Sequence, residues 1–144
     1  MQGETILIVE DESIIAEDIR ILLSDLGYSV FKESTGETAI STAESKQPDL
    51  VLMDINLKGK TDGIQAAEII QQKLDIPVIF ISGYPESVST DYDKIRNASA
   101  YIPKPFDAVQ IGAMVSLTLN TKRMMKSVKE AAEWAEEWKH KSTD

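Results

Sequence analysis

Acidic, hydroxyl and ammonium side chains follow the apolar runs of this sequence, each close to the point where a run ends. They are Glu10 and Asp11 after "TILIV", Asp54 after "DLVLM", Ser82 after "IPVIFI" and Lys104 shortly after "SAYI". Carboxylates that lie close together repel each other, by roughly 4 kcal/mol at 4 Å and an effective dielectric of 20. A lysine ammonium and a divalent cation would balance that charge, and oxygen ligands suit Mg²⁺. The chemistry that such a cluster supports is phosphoryl transfer.

In that chemistry Asp54 is the expected nucleophile, and Lys104 and the cation neutralise charge on the transferring group. The Ser82 hydroxyl and the backbone N–H groups of Asn56 and Gly83 can donate hydrogen bonds to phosphoryl oxygens. A glycine at 83 leaves this approach open. Each of these residues alone has an ordinary explanation, such as a helix cap or a loop charge. The interpretation therefore depends on their lying together at the ends of different strands.

The elements that position these residues alternate between strands and helices. Ser34 and Glu37 form a capping-box signature where the second helix is expected to begin. Strands are predicted for residues 5–9, 28–33, 49–53, 76–81 and 99–102, and helices for about 14–26, 34–45, 63–74, 86–96 and from Asp107 onward. This order predicts an α/β fold with a single doubly wound, five-stranded parallel sheet. In such sheets, ligands bind beyond the carboxyl ends of the strands.

Five segments of the chain resemble the receiver domain of two-component response regulators. They are "ILIVEDE", "DLVLMDINL", "DG" at 62–63, "VIFISG" and "YIPKPF", in the order and approximate spacing of that family, across about residues 4–120. The resemblance implies a flavodoxin-like, CheY-like fold, here with an extended C-terminal helix.

The same resemblance implies a role for each matching residue. The roles are phosphoacceptor for Asp54, Mg²⁺ ligands for Glu10, Asp11, Asp54 and the Asn56 carbonyl, charge neutralisation for Lys104, and a conformational switch for Ser82 and Tyr101. The family most often has Asp where this chain has Glu10, whose longer side chain can still act through a water. A cis Lys104–Pro105 bond and an effect of Tyr84 on the lifetime of the phosphoryl group are also implied.

Partners follow from the resemblance as well. The phosphoryl donor is expected to be a sensor histidine kinase, and a downstream protein partner reads the surface made by the helix at 86–96, the fifth strand and the last helix. The chain is expected to catalyse only its own phosphorylation and dephosphorylation, so it is not an enzyme in the usual sense.

Composition excludes several other classes of protein. Because the chain has no cysteine, disulfides, zinc–thiolate sites and cysteine nucleophiles are ruled out. Residues 1–121 carry a net charge of −10, from 9 basic and 19 acidic residues, so direct nucleic-acid binding is not expected. No signal peptide is visible and the longest apolar run, "IPVIFI", is too short to span a membrane. We therefore expect a cytoplasmic protein without membrane contact.

Three other functions remain open from the residues alone. A phosphatase of the haloacid dehalogenase group also places Asp at a strand end, but it needs a second acid where this chain has Asn56. A flavin binder of the same fold needs a phosphate loop rich in Ser and Thr after the first strand. A receiver-like binding module that is never phosphorylated would not need the acidic pair or Lys104.

The chain continues beyond the expected receiver domain, 1–120, into a segment at 121–144 with a net charge of +1. Apolar or small residues there follow alternating spacings of four and three, namely Leu117, Thr121, Met124, Val128, Ala131, Ala135 and Trp138. This heptad pattern predicts that the last helix runs from about Asp107 to near Trp138. The extension is a frayed helix, a helix for homodimerisation or docking, or a connector. Trp134 and Trp138 favour a contact surface, unless they fold back on the acidic body.

Overall fold

The sheet is built from strands that each contain a short apolar run of the sequence. The computed structural model describes residues 3–83 and 98–142, and within these ranges the chain has five strands and four helices. The strands are β1 (Thr5–Val9), β2 (Ser29–Glu33), β3 (Leu50–Asp54), β4 (Val78–Ser82) and β5 (Ala100–Pro103). The helices are α1 (Ser13–Asp25), α2 (Gly36–Lys46), α3 (Gly63–Leu74) and α4 (Ala108–Ser142).

All strand pairs are parallel, and the strand order is β2-β1-β3-β4-β5. The interior strands β3 and β4 are buried along their whole length, because helices cover both faces of the sheet. The edge strand β2 is largely exposed. The predicted single doubly wound parallel sheet is confirmed.

Two hydrophobic layers lie on opposite faces of this sheet. Side chains alternate along β1, so that Leu7 and Val9 pack in the layer formed with α2 and α3. Ile6 and Ile8 pack in the other layer, which includes residues of α1 and α4. This arrangement leaves the carboxyl ends of the strands uncovered by either layer.

The start of α2 differs from the prediction. Its N-cap is Thr35, whose hydroxyl accepts a hydrogen bond from the backbone N–H of Thr38 at 3.1 Å. The predicted capping box of Ser34 and Glu37 is therefore wrong. The Glu37 carboxylate instead accepts a hydrogen bond from the backbone N–H of Thr61 at 2.6 Å, which ties α2 to the loop before α3.

The start of α3 lies where it was predicted and is fixed by two features. Asp62 and Gln65 form a capping box, with each side chain accepting the backbone N–H of the other at 2.8 and 3.1 Å. A Cβ atom at Gly63 would lie 2.0 Å from the carbonyl oxygen of Asp54. Only glycine therefore allows α3 to begin so close to the end of β3.

The last helix, α4, is longer than predicted and changes its surroundings along its length. Ile111, Val115 and Leu119 pack on the sheet, whereas every side chain from 120 to 141 is exposed. Trp134 and Trp138 are 64% and 58% exposed, so the alternative that they fold back on the acidic body is wrong. The helix predicted at 86–96 and the residue Tyr84 lie outside the described residues. No helix within the described ranges is both long and apolar enough to cross a bilayer.

Candidate functional site

The side chains predicted to do chemistry meet at the carboxyl end of the sheet. Asp54 is the last residue of β3 and Ser82 the last of β4, while Glu10 follows β1 directly. Asp54 and Glu10 are only 4% and 3% exposed. A cleft of about 690 Å³ opens beside them, and its lining includes Asp54, Asp11 and Lys104. Burial of two acids at one edge of a sheet requires a compensating positive charge.

Lys104 provides such a charge. Its Nζ atom lies 2.8 Å from Oε1 of Glu10 and 3.5 Å from Oδ2 of Asp54. Burial alone would lower the pKa of Lys104, but the hydrogen bond to Glu10 and the charges of Asp54 and Glu10 outweigh it and raise that pKa. The lysine therefore stays protonated between the two carboxyl groups. The predicted cis Lys104–Pro105 bond, which follows directly, is confirmed.

Glu10 carries an unsatisfied oxygen. Burial, followed by the neighbouring Asp54 carboxyl, raises the pKa of Glu10 to about 7, while Lys104 acts in the opposite direction. The Oε2 atom of Glu10 is buried and has no hydrogen-bond partner. An unpaired buried acceptor costs about 1–3 kcal/mol, so a cation or its bound water would supply a missing interaction here.

Three carboxylate oxygens, one each from Glu10, Asp11 and Glu12, lie within 4.8 Å of one another. Such a set of hard oxygen donors fits Mg²⁺. The structure thus brings Glu10 and Asp11 together as predicted, but this group contains Glu12 and not Asp54. Glu12 was missed, although the run "VEDE" contains it, because the sequence does not show that the residue at the N-cap of α1 turns toward the cleft.

The carboxylate of Asp54 is also held from the backbone side. Its Oδ1 atom accepts a hydrogen bond from the backbone N–H of Asn56 at 3.0 Å. The side-chain amide of Asn56 donates to the hydroxyl of Ser82 at 3.4 Å. Asn56 therefore links the predicted phosphoacceptor to the predicted switch hydroxyl.

The carbonyl oxygen of Ser82 joins β4 to β5. It accepts the backbone N–H of Lys104 at 2.7 Å and the hydroxyl of Tyr101 at 3.4 Å. The Tyr101 ring packs against the layer that contains α2 and α3. At Gly83 a Cβ atom would lie 3.5 Å from Cβ of Lys104, which is an ordinary contact, so the lysine does not itself require a glycine there.

Comparisons with known proteins identify the family. A family model described as the response regulator receiver domain matches residues 6–116. The phyllosphere-induced regulator PhyR of Methylorubrum extorquens is 38% identical over 117 residues, which cover 79% of this chain and 43% of that protein. The regulatory protein VanR of Enterococcus faecium is 34% identical over 135 residues, which cover 91% of this chain and 56% of that protein.

A solved structure shows the same architecture. It is the N-terminal domain of a response regulator/sensory box/GGDEF three-domain protein from Carboxydothermus hydrogenoformans. The two chains are 35% identical with a TM-score of 0.76, and the match covers 84% of this chain and 98% of that chain. The present chain spans about half the length of PhyR and VanR.

These matches confirm the resemblance seen in the sequence. The phosphatase and flavin-binding alternatives are wrong, because the family model covers most of the chain. Members of the matched family are regulators rather than enzymes in the usual sense, and they generally bind Mg²⁺ at an acidic cluster. The chain belongs to the family of response regulator receiver domains, whose general function is to accept a phosphoryl group in two-component signalling.

Proposed function

We propose that this receiver domain is phosphorylated on Asp54 in a Mg²⁺-dependent reaction. The residues proposed to hold the cation are Glu10, Asp11, Asp54 and the carbonyl group of Asn56. The observation that carries the proposal is the ammonium of Lys104 beside the buried Asp54 carboxylate, at the edge of an open cleft. A merely structural acid at this position would not need an adjoining cleft with a cation in its wall.

In the reaction a carboxylate oxygen of Asp54 attacks the phosphorus atom of the donor. A new P–O bond forms as the bond between phosphorus and the leaving group breaks, and the electron pair of that bond departs with the leaving group. Lys104 neutralises charge that develops on the phosphoryl oxygens, and the Ser82 hydroxyl donates a hydrogen bond to one of them. Bound Mg²⁺ supplies further neutralising charge to the same oxygens.

The signal is proposed to pass through Ser82 to Tyr101. The Ser82 hydroxyl now accepts a hydrogen bond from Asn56, and a phosphoryl group on Asp54 would compete for that hydroxyl. Movement of Ser82 would change the carbonyl group to which the Tyr101 hydroxyl donates. The ring of Tyr101 would then shift, and with it the surface of β5 and α4 that a downstream protein reads.

The proposed donor is a phosphohistidine on a sensor histidine kinase, and the proposed location is the cytoplasm. The chain would catalyse only its own phosphorylation and dephosphorylation. The acidic body supports a protein partner rather than nucleic acid or a membrane surface, because both of those carry negative charge.

The test is incubation with acetyl phosphate and Mg²⁺, followed by intact mass measurement. We expect one phosphoryl group per chain, removed by hydroxylamine and absent when EDTA is added. Asp54→Asn should abolish it, whereas Asp25→Asn, at an exposed aspartate at the end of α1, should not. No incorporation into the wild-type chain would favour a binding module that is never phosphorylated. Repeated turnover of small phosphate esters would contradict the proposal that the chain catalyses only its own phosphorylation and dephosphorylation.

A further inference from the structure

The loop between β3 and α3, residues 55–62, carries two groups of the proposed phosphorylation site. The backbone N–H of Asn56 donates to Oδ1 of Asp54 at 3.0 Å, and the Asn56 carbonyl is one of the proposed Mg²⁺ ligands. The side chain of Lys58 lines the cleft that opens beside Asp54. The position of this loop therefore sets the position of one carboxylate oxygen and of one metal ligand.

The base of the loop is fixed by the sheet and by α3. The backbone N–H of Ile55 donates to the carbonyl of Ile81 in β4 at 3.1 Å, and the N–H of Gly63 donates to the carbonyl of Ile55 at 3.3 Å. The side chain of Leu57 is buried as well. Residues 58–60 are exposed, so burial does not hold this part of the loop in place.

The exposed part of the loop is held by α2, through Glu37. Oε1 of Glu37 accepts the backbone N–H of Thr61 at 2.6 Å, and Oε2 lies 3.6 Å from the point where a Cβ atom at Gly59 would stand. Hydrogen bonds from the hydroxyl and the backbone N–H of Thr61 hold the pKa of Glu37 below its ordinary value of 4.5. In the part of the chain that the structure describes, residues 57–61 make no hydrogen bond to any element other than α2.

A close contact at Gly36 brings α2 and the loop together at the same point. A Cβ atom at Gly36 would lie 2.5 Å from the carbonyl oxygen of Thr61 and 3.1 Å from its Cβ atom. Any side chain at this position would push Thr61 away from α2, so glycine permits the distance at which Glu37 reaches it. The hydrogen bond and the steric contact are independent of each other, and both act on Thr61 from the side of α2.

We propose that Glu37 is a positioning residue for the phosphorylation of Asp54. Glu37 does not line the cleft, so it acts through Thr61, by holding the loop that carries Asn56. While the loop is held, the N–H of Asn56 stays directed at Asp54 and its carbonyl stays available to Mg²⁺. This role rests on the proposed function of the site, but its first test needs neither a metal ion nor a phosphoryl donor.

Amide hydrogen exchange in the metal-free chain tests whether Glu37 holds the loop. We expect Glu37→Ala to raise the exchange rate of the Thr61 amide about tenfold and that of the Asn56 amide about threefold, because the loop then opens more often. The amide of Ile55, which donates to β4, should keep its rate. Unchanged exchange at Thr61 and Asn56 would overturn the proposal.

Mg²⁺ binding, measured by calorimetry without a phosphoryl donor, tests whether this hold matters to the site. Glu37→Ala should weaken Mg²⁺ binding about three- to tenfold, because an indirect support of a metal ligand is lost. Glu44→Ala, at an exposed acid in the last part of α2, is the matched control and should leave the affinity unchanged. Equal affinity of Glu37→Ala and the wild-type chain would contradict the proposal.

Glu37→Gln separates the hydrogen bond from the charge. Glu37 lies in the first turn of α2, where a carboxylate also stabilises the helix by its charge. The glutamine amide oxygen can still accept the N–H of Thr61, so we expect Mg²⁺ affinity close to that of the wild-type chain. If Glu37→Gln lost as much affinity as Glu37→Ala, the effect would belong to the charge on α2, and the positioning role would be refuted.

Gly36→Ala disturbs the same contact without changing Glu37. Alanine favours a helix more than glycine does, so the substitution should support α2 while its Cβ atom pushes Thr61 away. We expect Mg²⁺ binding, and phosphorylation of Asp54 by acetyl phosphate at low Mg²⁺ concentration, to weaken by about threefold. Wild-type affinity in this variant would contradict the proposal. A wild-type chain that takes up no phosphoryl group would refute the proposed function, whereas normal phosphorylation and Mg²⁺ binding of Glu37→Ala would refute only the role of Glu37.

Discussion

The two parts of α4 have similar apolar spacing and opposite surroundings. In the first part, Ile111, Val115 and Leu119 are buried against the sheet. In the second part, Met124 and Val128 are more than half exposed. Helical periodicity therefore identifies the face of a helix that favours apolar contact, but it does not show whether the same chain covers that face. The body covers the first part, whereas no described residue of this chain covers the second.

Among the described glycines, Gly63 leaves the least room for a Cβ atom, so a methyl group there should have the largest effect. Gly63→Ala places Cβ against the backbone of Asp54, where the nearest atom is 2.0 Å away. We expect a loss of about 3 kcal/mol or more in the free energy of unfolding, measured with urea. Gly112→Ala, on α4, is the matched control, because its Cβ would lie 3.2 Å from the flexible end of Leu26. Equal stability of the two variants would contradict the packing at the end of β3.

A pair of valines on α4 tests the comparison directly. Val115 is 0% exposed and Val128 is 63% exposed. Val115→Ala should cost about 2 kcal/mol in the free energy of unfolding, because it leaves a cavity beside the sheet. Val128→Ala should change the same quantity by less than about 0.5 kcal/mol, because the side chain is already exposed. Similar losses from both substitutions would mean that the second part of α4 is packed against its own body.

Removing the positive charge of the site should lower the free energy of unfolding by somewhat less than Val115→Ala does. Lys104→Met leaves Glu10 and Asp54 without the cation that lies between them. We expect the free energy of unfolding to fall by about 1–2 kcal/mol in metal-free buffer at pH 8. The loss is limited because the lysine is partly exposed and solvent replaces some of its effect. Added Mg²⁺ should recover part of that loss. Lys60→Met, at an exposed loop lysine, is the control and should be close to neutral.

The ion pair between Glu4 and Arg123 should have the smallest effect, because exposed pairs are weak. Partial burial raises the pKa of Glu4, but hydrogen bonding and the charge of Arg123 outweigh it and hold that pKa below its ordinary value of 4.5. The pair therefore adds stability above pH 4.5, and this is lost as the pH falls through the folded-state pKa. Glu4→Gln should lower the melting temperature slightly at pH 7 and not at pH 3. An equal difference in melting temperature at pH 7 and pH 3 would exclude a role for the charge of Glu4.

The sequence was sufficient to predict most of the fold. Gly63 and Leu74 bound α3 as expected, because the capping and apolar signals there agree. The ends of β1 and β2 were predicted correctly, whereas those of β3, β4 and β5 were placed one residue early, since residues such as Asp54 and Ser82 still take part in the sheet ladder. The N-cap of α2 was misplaced by one residue, because Ser34 and Thr35 are both good caps and only the tertiary contact of Glu37 with Thr61 distinguishes them.

The proximity of the site residues was predicted equally well, whereas their chemical roles stay predictions. The strand-end rule brought Glu10, Asp54, Ser82 and Lys104 together without any structural information. It did not reveal Glu12, whose position depends on how α1 leaves β1. Nor did it reveal that the Ser82 carbonyl accepts two hydrogen bonds, because sequence patterns locate side chains and say little about single backbone atoms.

The length of α4 has a mechanical consequence. Its first turns pack on the sheet close to β5, and the part beyond Leu119 continues as one uninterrupted helix for about 34 Å. A rod of that length acts as a lever, so a tilt of about 5° at the root moves the far tip by about 3 Å. A small rearrangement at β5 would therefore displace the exposed end of α4, near Trp138, by more than it displaces the receiver domain itself.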